Sequence, residues 1–289
     1  MAMPFVAVVL IFSYVPLAGW IYALFNFKPG IPLSQSPFVG LKYFRQAFNF
    51  SAGSSLLQVF RNTVVMSGLN IACSVLPVAF AILLSELRGS RFKKVIQVTT
   101  TLPNFISWVL VYAIAFAAFS TDDGFVNLIM MKMALISAPT SILASGNAAW
   151  WFQTALGVWK GLGFGAIIYL ATIGGLDPEL YQAADVDGAS RFAKIIYITI
   201  PGIASTYIVL LLLAISNFLS NGFDQYYAFM NAMVQVKLQV LDYYIYRTGL
   251  MLNQYSFSTA LGIIKTVVSV ILLFTVNFIV KRVRGTSII

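Results

Sequence analysis

The sequence predicts an all-α integral membrane protein with six transmembrane helices, and three observations carry that expectation. Of 289 residues, 60% are hydrophobic and only 9% charged, against about 25% charged in a soluble domain. So few charges cannot cover a globular surface that faces water. Apolar stretches near the roughly 20 residues that cross a bilayer recur six times, and the basic residues gather in alternate connecting segments. The same composition excludes a soluble enzyme, a nucleic-acid-binding domain and a disordered chain. The net charge of +9 then reads as a signal for membrane orientation, not as a phosphate-binding surface. There is no histidine, which removes His-based acid–base catalysis and the usual zinc sites. The one cysteine, Cys73, lies in an apolar run and allows no intrachain disulfide.

The six spans fall at about 3–25, 58–84, 95–119, 151–175, 203–220 and 258–280, in a single transmembrane domain covering 1–289. Span 1 lacks the basic leader and small-residue cleavage site of a signal peptide and is long enough to cross. The absence of charge before it predicts a native basic segment ahead of Met1. Pro77 and Pro103 interrupt spans 2 and 3. An intramembrane proline frees a carbonyl and bends the axis, which is tolerated where a neighbour or a cavity re-satisfies the backbone. In span 4, Gly157, Gly161 and Gly165 form a small-x-x-x-small ridge suited to helix packing; the Gly-Leu-Gly-Phe-Gly run there is not a nucleotide turn.

With a cytoplasmic N-terminus, segments 85–94, 176–202 and 281–289 lie inside and hold nine basic residues. Segments 26–57, 120–150 and 221–257 lie outside and hold six over a much greater length. The basic density is about threefold higher inside, so both termini are expected in the cytoplasm. The outer segments exceed the ~12–15 residues of ordinary connectors and contain short apolar stretches such as Leu41 to Phe50. They either receive an external partner or merely cap the helices.

Segment 176–202 has a different character. Pro178 suits the first helical turn with Asp177 as its cap. Tyr181 to Val186 continues a short helix in which Ala183 and Ala184 present a small, flat face. Gly188 supplies the turn that ends it. Ser190 caps a second helix with Phe192, Ile195 and Ile196 on one face, and Pro201 opens span 5. Two short helices at an angle make a lever that a soluble partner can grip.

Ala183-Ala184, Gly188, Ile198, Ile200 and Pro201 stand at the spacing of the EAA loop, and the segment resembles that loop of ATP-binding-cassette importer permeases. Asp187-Gly188-Ala189 is similar to the carbohydrate branch, the maltose-type permeases. Phe12-Ser-Tyr-Val-Pro-Leu, Lys28-Pro-Gly, Phe38-Val-Gly-Leu-Lys-Tyr-Phe, Leu102-Pro-Asn-Phe-Ile-Ser-Trp and Trp159-Lys-Gly-Leu-Gly resemble a narrower group that imports polysaccharide-derived oligosaccharides, uronate oligomers of the alginate or pectin type among them. Two positions depart from the pattern. Gln182 replaces the motif glutamate, removing a charge that pairs with an ATPase, and Ile200 replaces a leucine.

The resemblance implies an importer at the bacterial cytoplasmic membrane. Two cytoplasmic ATPase subunits, which bind ATP and Mg, dock on the loops of two permeases, and Gln182, Ala183, Ala184, Asp187, Gly188, Ile198 and Pro201 couple them to this chain. The second permease is expected to be a related but different chain, and an extracytoplasmic binding protein delivers the sugar. This chain has no Gly-x-x-x-x-Gly-Lys-Ser/Thr loop and is expected to carry no cofactor or metal, to bind no nucleic acid and to be no enzyme.

Lys160 and Lys265 fall inside apolar helices, where an isolated charge costs at least ~2.5–3.5 kcal/mol and so faces a cavity or a partner. They either line a sugar pathway or sit in structural hydrogen bonds; Arg61, near the start of span 2, reads as structural. Trp108, Trp159 and Tyr169 offer ring faces to a sugar, whereas Trp150 and Trp151 sit at an interface and read as part of an aromatic belt. All nine acids, Glu86, Asp122, Asp123, Asp224 and Asp242 among them, fall in loops or at span edges. That disfavours an ion-coupled secondary transporter and leaves an electropositive cavity, hence an acidic oligosaccharide; a neutral one is the alternative.

Overall fold

The computed structural model describes residues 3–48 and 55–284, with side chains to residue 282. Among these residues five helices are long and apolar enough to cross a membrane: Met3–Leu24, Ser55–Ser85, Ala149–Gly174, Arg191–Ser216 and Tyr255–Arg282. A bent pair, Ser90–Phe105 with Trp108–Phe119, meets the same length and hydropathy criteria when its halves are taken together, which brings the number to six. No strand forms among the described residues. An isolated antiparallel bridge of Phe25 with Phe38 pins the chain that leaves span 1. The end of the apolar stretch at Asn49 and Phe50, and the tail after Arg284, lie outside the described residues.

Prolines explain where the helices depart from regularity. Span 1 passes through a π turn at Leu10–Tyr14 into a 3₁₀ segment, Val15–Leu24, whose second residue is Pro16. Span 5 passes through a π turn at Ile195–Thr199 and meets Pro201 two residues later. In the second, the Ile200 amide donates to the Ile195 carbonyl, five residues back. A proline has no N–H and its ring collides with the carbonyl four residues earlier; a widened turn just before it relieves both. Pro201 therefore lies inside a continuous helix and does not open span 5. The helix runs Arg191–Ser216, where 203–220 was expected.

Span 2 divides at Ser74 into Ser55–Cys73 and Val75–Ser85. The first half ends at Cys73, the residue whose carbonyl the Pro77 ring obstructs. Span 3 is a larger departure from the expected single helix at 95–119. It begins at Ser90, passes through a 3₁₀ turn at Leu102–Phe105 that contains Pro103, and turns by 103°. Ile106 is extended, and Ser107 caps the outgoing half by accepting from the Leu110 amide at 3.4 Å.

The 221–257 segment is no mere connector. Its short helices, Phe223–Phe229, Gln235–Leu238 and Leu241–Tyr246, bury Tyr226, Phe229, Val234, Leu238, Val240 and Tyr243 against Met66, Val111, Ala115 and Ala149 of spans 2, 3 and 4. Backbone held against the spans in this way needs hydrogen-bond partners, and span 2 supplies them. Asn62 Nδ2 donates to the Val236 and Gln239 carbonyls at 2.9 and 3.2 Å. Thr63 Oγ1 accepts from the Leu241 amide at 2.9 Å; Ser67 Oγ donates to the Phe218 carbonyl just ahead of the segment and accepts from the Asn221 side-chain amide at 2.8 Å. The polar residues of an otherwise apolar span stitch the segment down.

The glycine ridge of span 4 is only partly a packing device. Gly165 rests on the Pro77 ring, where a Cβ would sit at 3.3 Å, but nothing lies within 4 Å of a Cβ at Gly157 or Gly161. The closest approach is at Gly163, outside the ridge: a Cβ there would stand 2.3 Å from the Thr100 backbone. Span 4 meets the incoming half of span 3 backbone to side-chain-free backbone.

Candidate functional site

Two regions bring together the residues singled out in the sequence: the loop between spans 4 and 5, and the middle of the bundle around spans 2 to 6.

In the loop, span 4 ends at Gly174, and Gly175 and Leu176 turn the chain before a new helix, Pro178–Val186, begins. Span 4 therefore does not run straight into the loop. Asp177 caps the helix by accepting from the Glu179 amide at 2.9 Å, with Pro178 at the first position. At the far end Gly188 adopts φ +73°, the Ala189 amide donates to the Ala184 carbonyl at 2.8 Å, and the Gly188 amide donates to the Asp185 carbonyl at 3.1 Å. That paired pattern is the Schellman closure, which needs a left-handed residue at the position Gly188 holds.

Ser190 then caps Arg191–Lys194, accepting from the Ala193 amide at 3.3 Å. Lys194 bridges back to Asp185 at 2.5 Å, and Tyr181 and Thr199 hydroxyls meet at 2.9 Å. Both bonds fix the angle between the loop helix and the root of span 5. The root is further keyed by Leu176, whose side chain fills the space beside Gly202. Phe192 and Tyr197 stand 77% and 78% exposed, and Leu180 and Val186 are also exposed. Gln182, Ala183, Asp187 and Gly188 are exposed as well, while Ala184 and Ile198 are half-buried. Phe192 and Ile196 face outward, but the π turn that starts at Ile195 leaves Ile195 itself half-buried. The result is a short arm bonded to the root of span 5 and carrying several uncovered apolar side chains.

In the bundle, Lys160 donates to the Asn104 carbonyl at 2.6 Å and lies 5.5 Å from the centre of the Trp108 ring. Asn104 belongs to the broken turn of span 3, so the lysine satisfies a carbonyl that the break exposes. Trp159 is exposed and Trp108 half-buried. Tyr169 departs from expectation. It is 4% exposed and packs with Ala81, Ala166 and Tyr207 in the core between spans 2, 4 and 5, so its ring is closed to a sugar here.

Lys265 is not a free cation either. It forms an ion pair with Asp242 of the 221–257 segment, and the other carboxylate oxygen of Asp242 accepts from the Asn221 amide at 3.0 Å. Burial, and then the Asp242 carboxylate, push the neighbouring Tyr226 phenol upward, so it stays neutral. The acid counted as a loop residue in the sequence is brought to the span by a tertiary contact. Arg61 and Lys237 flank the Trp150 ring at 5.7 and 4.2 Å, and Trp150 Nε1 donates to the Lys237 carbonyl at 2.7 Å. Trp150 thus clamps the 221–257 segment, whereas Trp151 is exposed.

Reasoning from charge and aromatics missed a run of neutral polar groups. A cavity of about 180 Å³ is lined by Asn70, Ser74, Gly157 and Gly161. A second, of about 190 Å³, is lined by Ser67, Asn70, Asn217 and Asn221. Asn70 borders both. The signal was present as amides and hydroxyls recurring at helical spacing in span 2, Ser67, Asn70 and Ser74, and as glycines on span 4 that no neighbour fills.

A family model described as "Binding-protein-dependent transport system inner membrane component" matches residues 74–285. Protein LplB of Bacillus subtilis strain 168 is 36% identical over 94% of this chain and 85% of its own length. The polygalacturonan/rhamnogalacturonan transport system permease protein YteP of the same organism is 35% identical over 94% of this chain and 84% of its own. Among solved structures, a bacterial ABC transporter involved in the import of the acidic polysaccharide alginate contains a chain that superposes with a TM-score of 0.88 at 29% identity, covering 97% of this chain and 93% of that one. A bacterial alginate ABC transporter in complex with an alginate pentasaccharide-bound periplasmic protein matches at the same score and identity, over 99% and 94%.

Proposed function

The chain belongs to the binding-protein-dependent transport system inner membrane components, and from that membership we infer that it is the permease subunit of an ATP-driven oligosaccharide importer. It is a transport subunit and not an enzyme; ATP and Mg are bound by two separate cytoplasmic subunits. The observation that carries the coupling role is the arm between spans 4 and 5. A Schellman-closed helix fixed by an ion pair and a hydroxyl pair to the root of span 5 can move only as a unit, so a push at Leu180, Val186 and Phe192 tilts span 5. Gln182, Ala183, Ala184, Asp187 and Gly188 form that contact, and Ile198 and Pro201 pass the displacement into the span through the π turn. The whole chain, 1–289, acts as one permease domain with both termini in the cytoplasm, paired with a homologous but different permease and supplied by a binding protein at the opposite face.

The substrate we infer is an acidic oligosaccharide, in keeping with the acidic polysaccharide that the similar alginate transporter imports. Neutral amides and hydroxyls around Asn70 suit sugar hydroxyls as paired donors and acceptors. Lys160 keeps two N–H donors beyond the one given to Asn104. A carboxylate about 4 Å from an ammonium gains about 4 kcal/mol at an effective dielectric of ~20, before desolvation is counted. Even a third of that is about tenfold in affinity. Uptake into proteoliposomes holding the whole complex should favour uronate over neutral oligomers, and Lys160→Met should remove part of the preference. Equal uptake of both, unchanged by the substitution, refutes the acidic reading and leaves the neutral one.

A further inference from the structure

At the end of the bundle opposite the 176–202 arm, a cavity of about 320 Å³ opens between the chain that leaves span 1 and the start of span 6. Its lining is the kind that binds carbohydrate. Asn26, Gln46, Asn253 and Gln254 bring four amides to it, each able to donate to one hydroxyl and accept from another. Phe27 and Tyr43 add half-buried rings, flat surfaces for the C–H face of a pyranose. Lys28 adds a cation. The volume lies at the low end of the ~300–1,000 Å³ typical of small-molecule sites, room for one or two sugar rings.

The frame is held in place. Tyr43 Oη donates to Asn26 Oδ1 at 2.8 Å, which orients that amide and leaves its nitrogen to donate. The Phe27 amide donates to Ser256 Oγ at 3.0 Å, tying the linker to span 6, and the Phe27 ring stands edge-on to Tyr255 at 6.1 Å. Asn253 adopts φ +55° just past the end of the Arg247–Met251 turn, the left-handed closing position that asparagine takes more readily than other side-chain-bearing residues. The side chains of Gln46, Asn253 and Gln254 make no hydrogen bond to another described residue. The surrounding charge has one sign: residues 1–57 and 243–257 contain no Asp or Glu, while Lys42 and Arg45 stand on the bordering helix Lys42–Ala47.

We propose that this cavity is a second saccharide site, which holds one or two residues of an anionic oligosaccharide at the mouth of the permease while the rest of the chain enters the spans. The proposal deepens the functional reading above and rests on it. The test uses the complete complex in nanodiscs without binding protein, titrated with uronate and with neutral trisaccharides and followed by saturation-transfer NMR. Wild-type complex should show saturable, weak binding. Lys28→Met should weaken uronate binding about threefold and leave neutral binding unchanged. Asn253→Gly, which keeps the backbone conformation, and Gln254→Ala should each weaken both about fivefold to tenfold; all three side chains are exposed, so folding is spared. Wild-type uptake of oligosaccharide with titrations identical in all variants overturns the site alone. So does an unchanged titration accompanied by weaker docking of sugar-free binding protein, which makes the cavity a protein contact. Absence of both uptake and titration in the wild type overturns the functional reading with it.

Discussion

Lys265→Met is the substitution that separates a structural lysine from a pathway lysine. In the folded chain the ammonium is paired with Asp242, and the two side chains are 21% and 16% exposed. Removing one member of a fully buried pair costs about 3–5 kcal/mol, whereas an exposed pair is worth about 0–1 kcal/mol. Exposure of about a fifth places this pair between those limits. After the change, Asp242 keeps the Asn221 amide at 3.0 Å, and a hydrogen bond to a charged group offsets about 1.5–3 kcal/mol of its isolation. The net expectation is a loss of about 2 kcal/mol for Lys265→Met, and a comparable loss for Asp242→Asn, whose single amide oxygen can keep the Asn221 bond only by turning its NH2 toward the Lys265 ammonium. The double substitution should cost less than the sum of the two by at least about 1 kcal/mol, as contacting residues do. Equilibrium unfolding of the solubilised complex in graded SDS measures all four corners of the cycle. Uptake per folded transporter should keep its preference between uronate and neutral oligomers. Additive losses, or an intact protein whose substrate preference collapses, would refute the structural assignment and return Lys265 to the pathway.

Three further outcomes follow from the geometry. Gly188→Val places a β-branched side chain at φ +73°, where a left-handed L-residue costs about 1–2 kcal/mol; the subunit should still reach the membrane, but substrate-stimulated ATPase activity and uptake should be lost, and wild-type stimulation would defeat the coupling role of the arm. Gly163→Ala puts a methyl 2.3 Å from the Thr100 backbone while Gly157→Ala points one into open space, so thermal unfolding of the complex should show a large loss for the first and almost none for the second. Trp150→Phe keeps the ring between Arg61 and Lys237 but deletes the 2.7 Å bond to the Lys237 carbonyl; a loss of about 1 kcal/mol should appear as faster proteolysis within 221–257, and unchanged cleavage would show that the clamp is not what holds the segment.

The fate of individual residues shows how much was legible in advance. Gly188 was assigned to the turn from the sequence because a helix capped by Asp177 and Pro178 must end, and glycine alone takes the left-handed closing position without strain. Pro77 and Pro103 marked breaks for an equally local reason. The register of span 5 was misread because a proline ordinarily starts a helix; the π turn at Ile195–Thr199 leaves no mark in hydropathy. The sequence could not show that Tyr169 is buried or decide between the two readings of Lys265, because burial and pairing are relations between distant segments. Nothing near Lys265 in the chain announces Asp242, and nothing near Tyr169 announces Ala81 or Tyr207. Asn62, Thr63 and Ser67 look like blemishes in an apolar span until the backbone of 218–241 is laid against them.

By itself the sequence determined the solvent, the number of crossings and the shape of the arm between spans 4 and 5. Each depends on composition or on bonds spanning a few residues: a chain with 9% charge must leave water, and a Ser, Asp or Gly at a helix end acts on amides and carbonyls within one turn. Only the tertiary structure decided which lysine is paired with an acid, which aromatic ring is open and which glycines face a void. Those properties are set where chain segments separated by tens of residues meet. In a bilayer the meeting is decided by side-chain fit and by polar groups that must find partners, since apolar surface gains nothing by choosing protein over lipid.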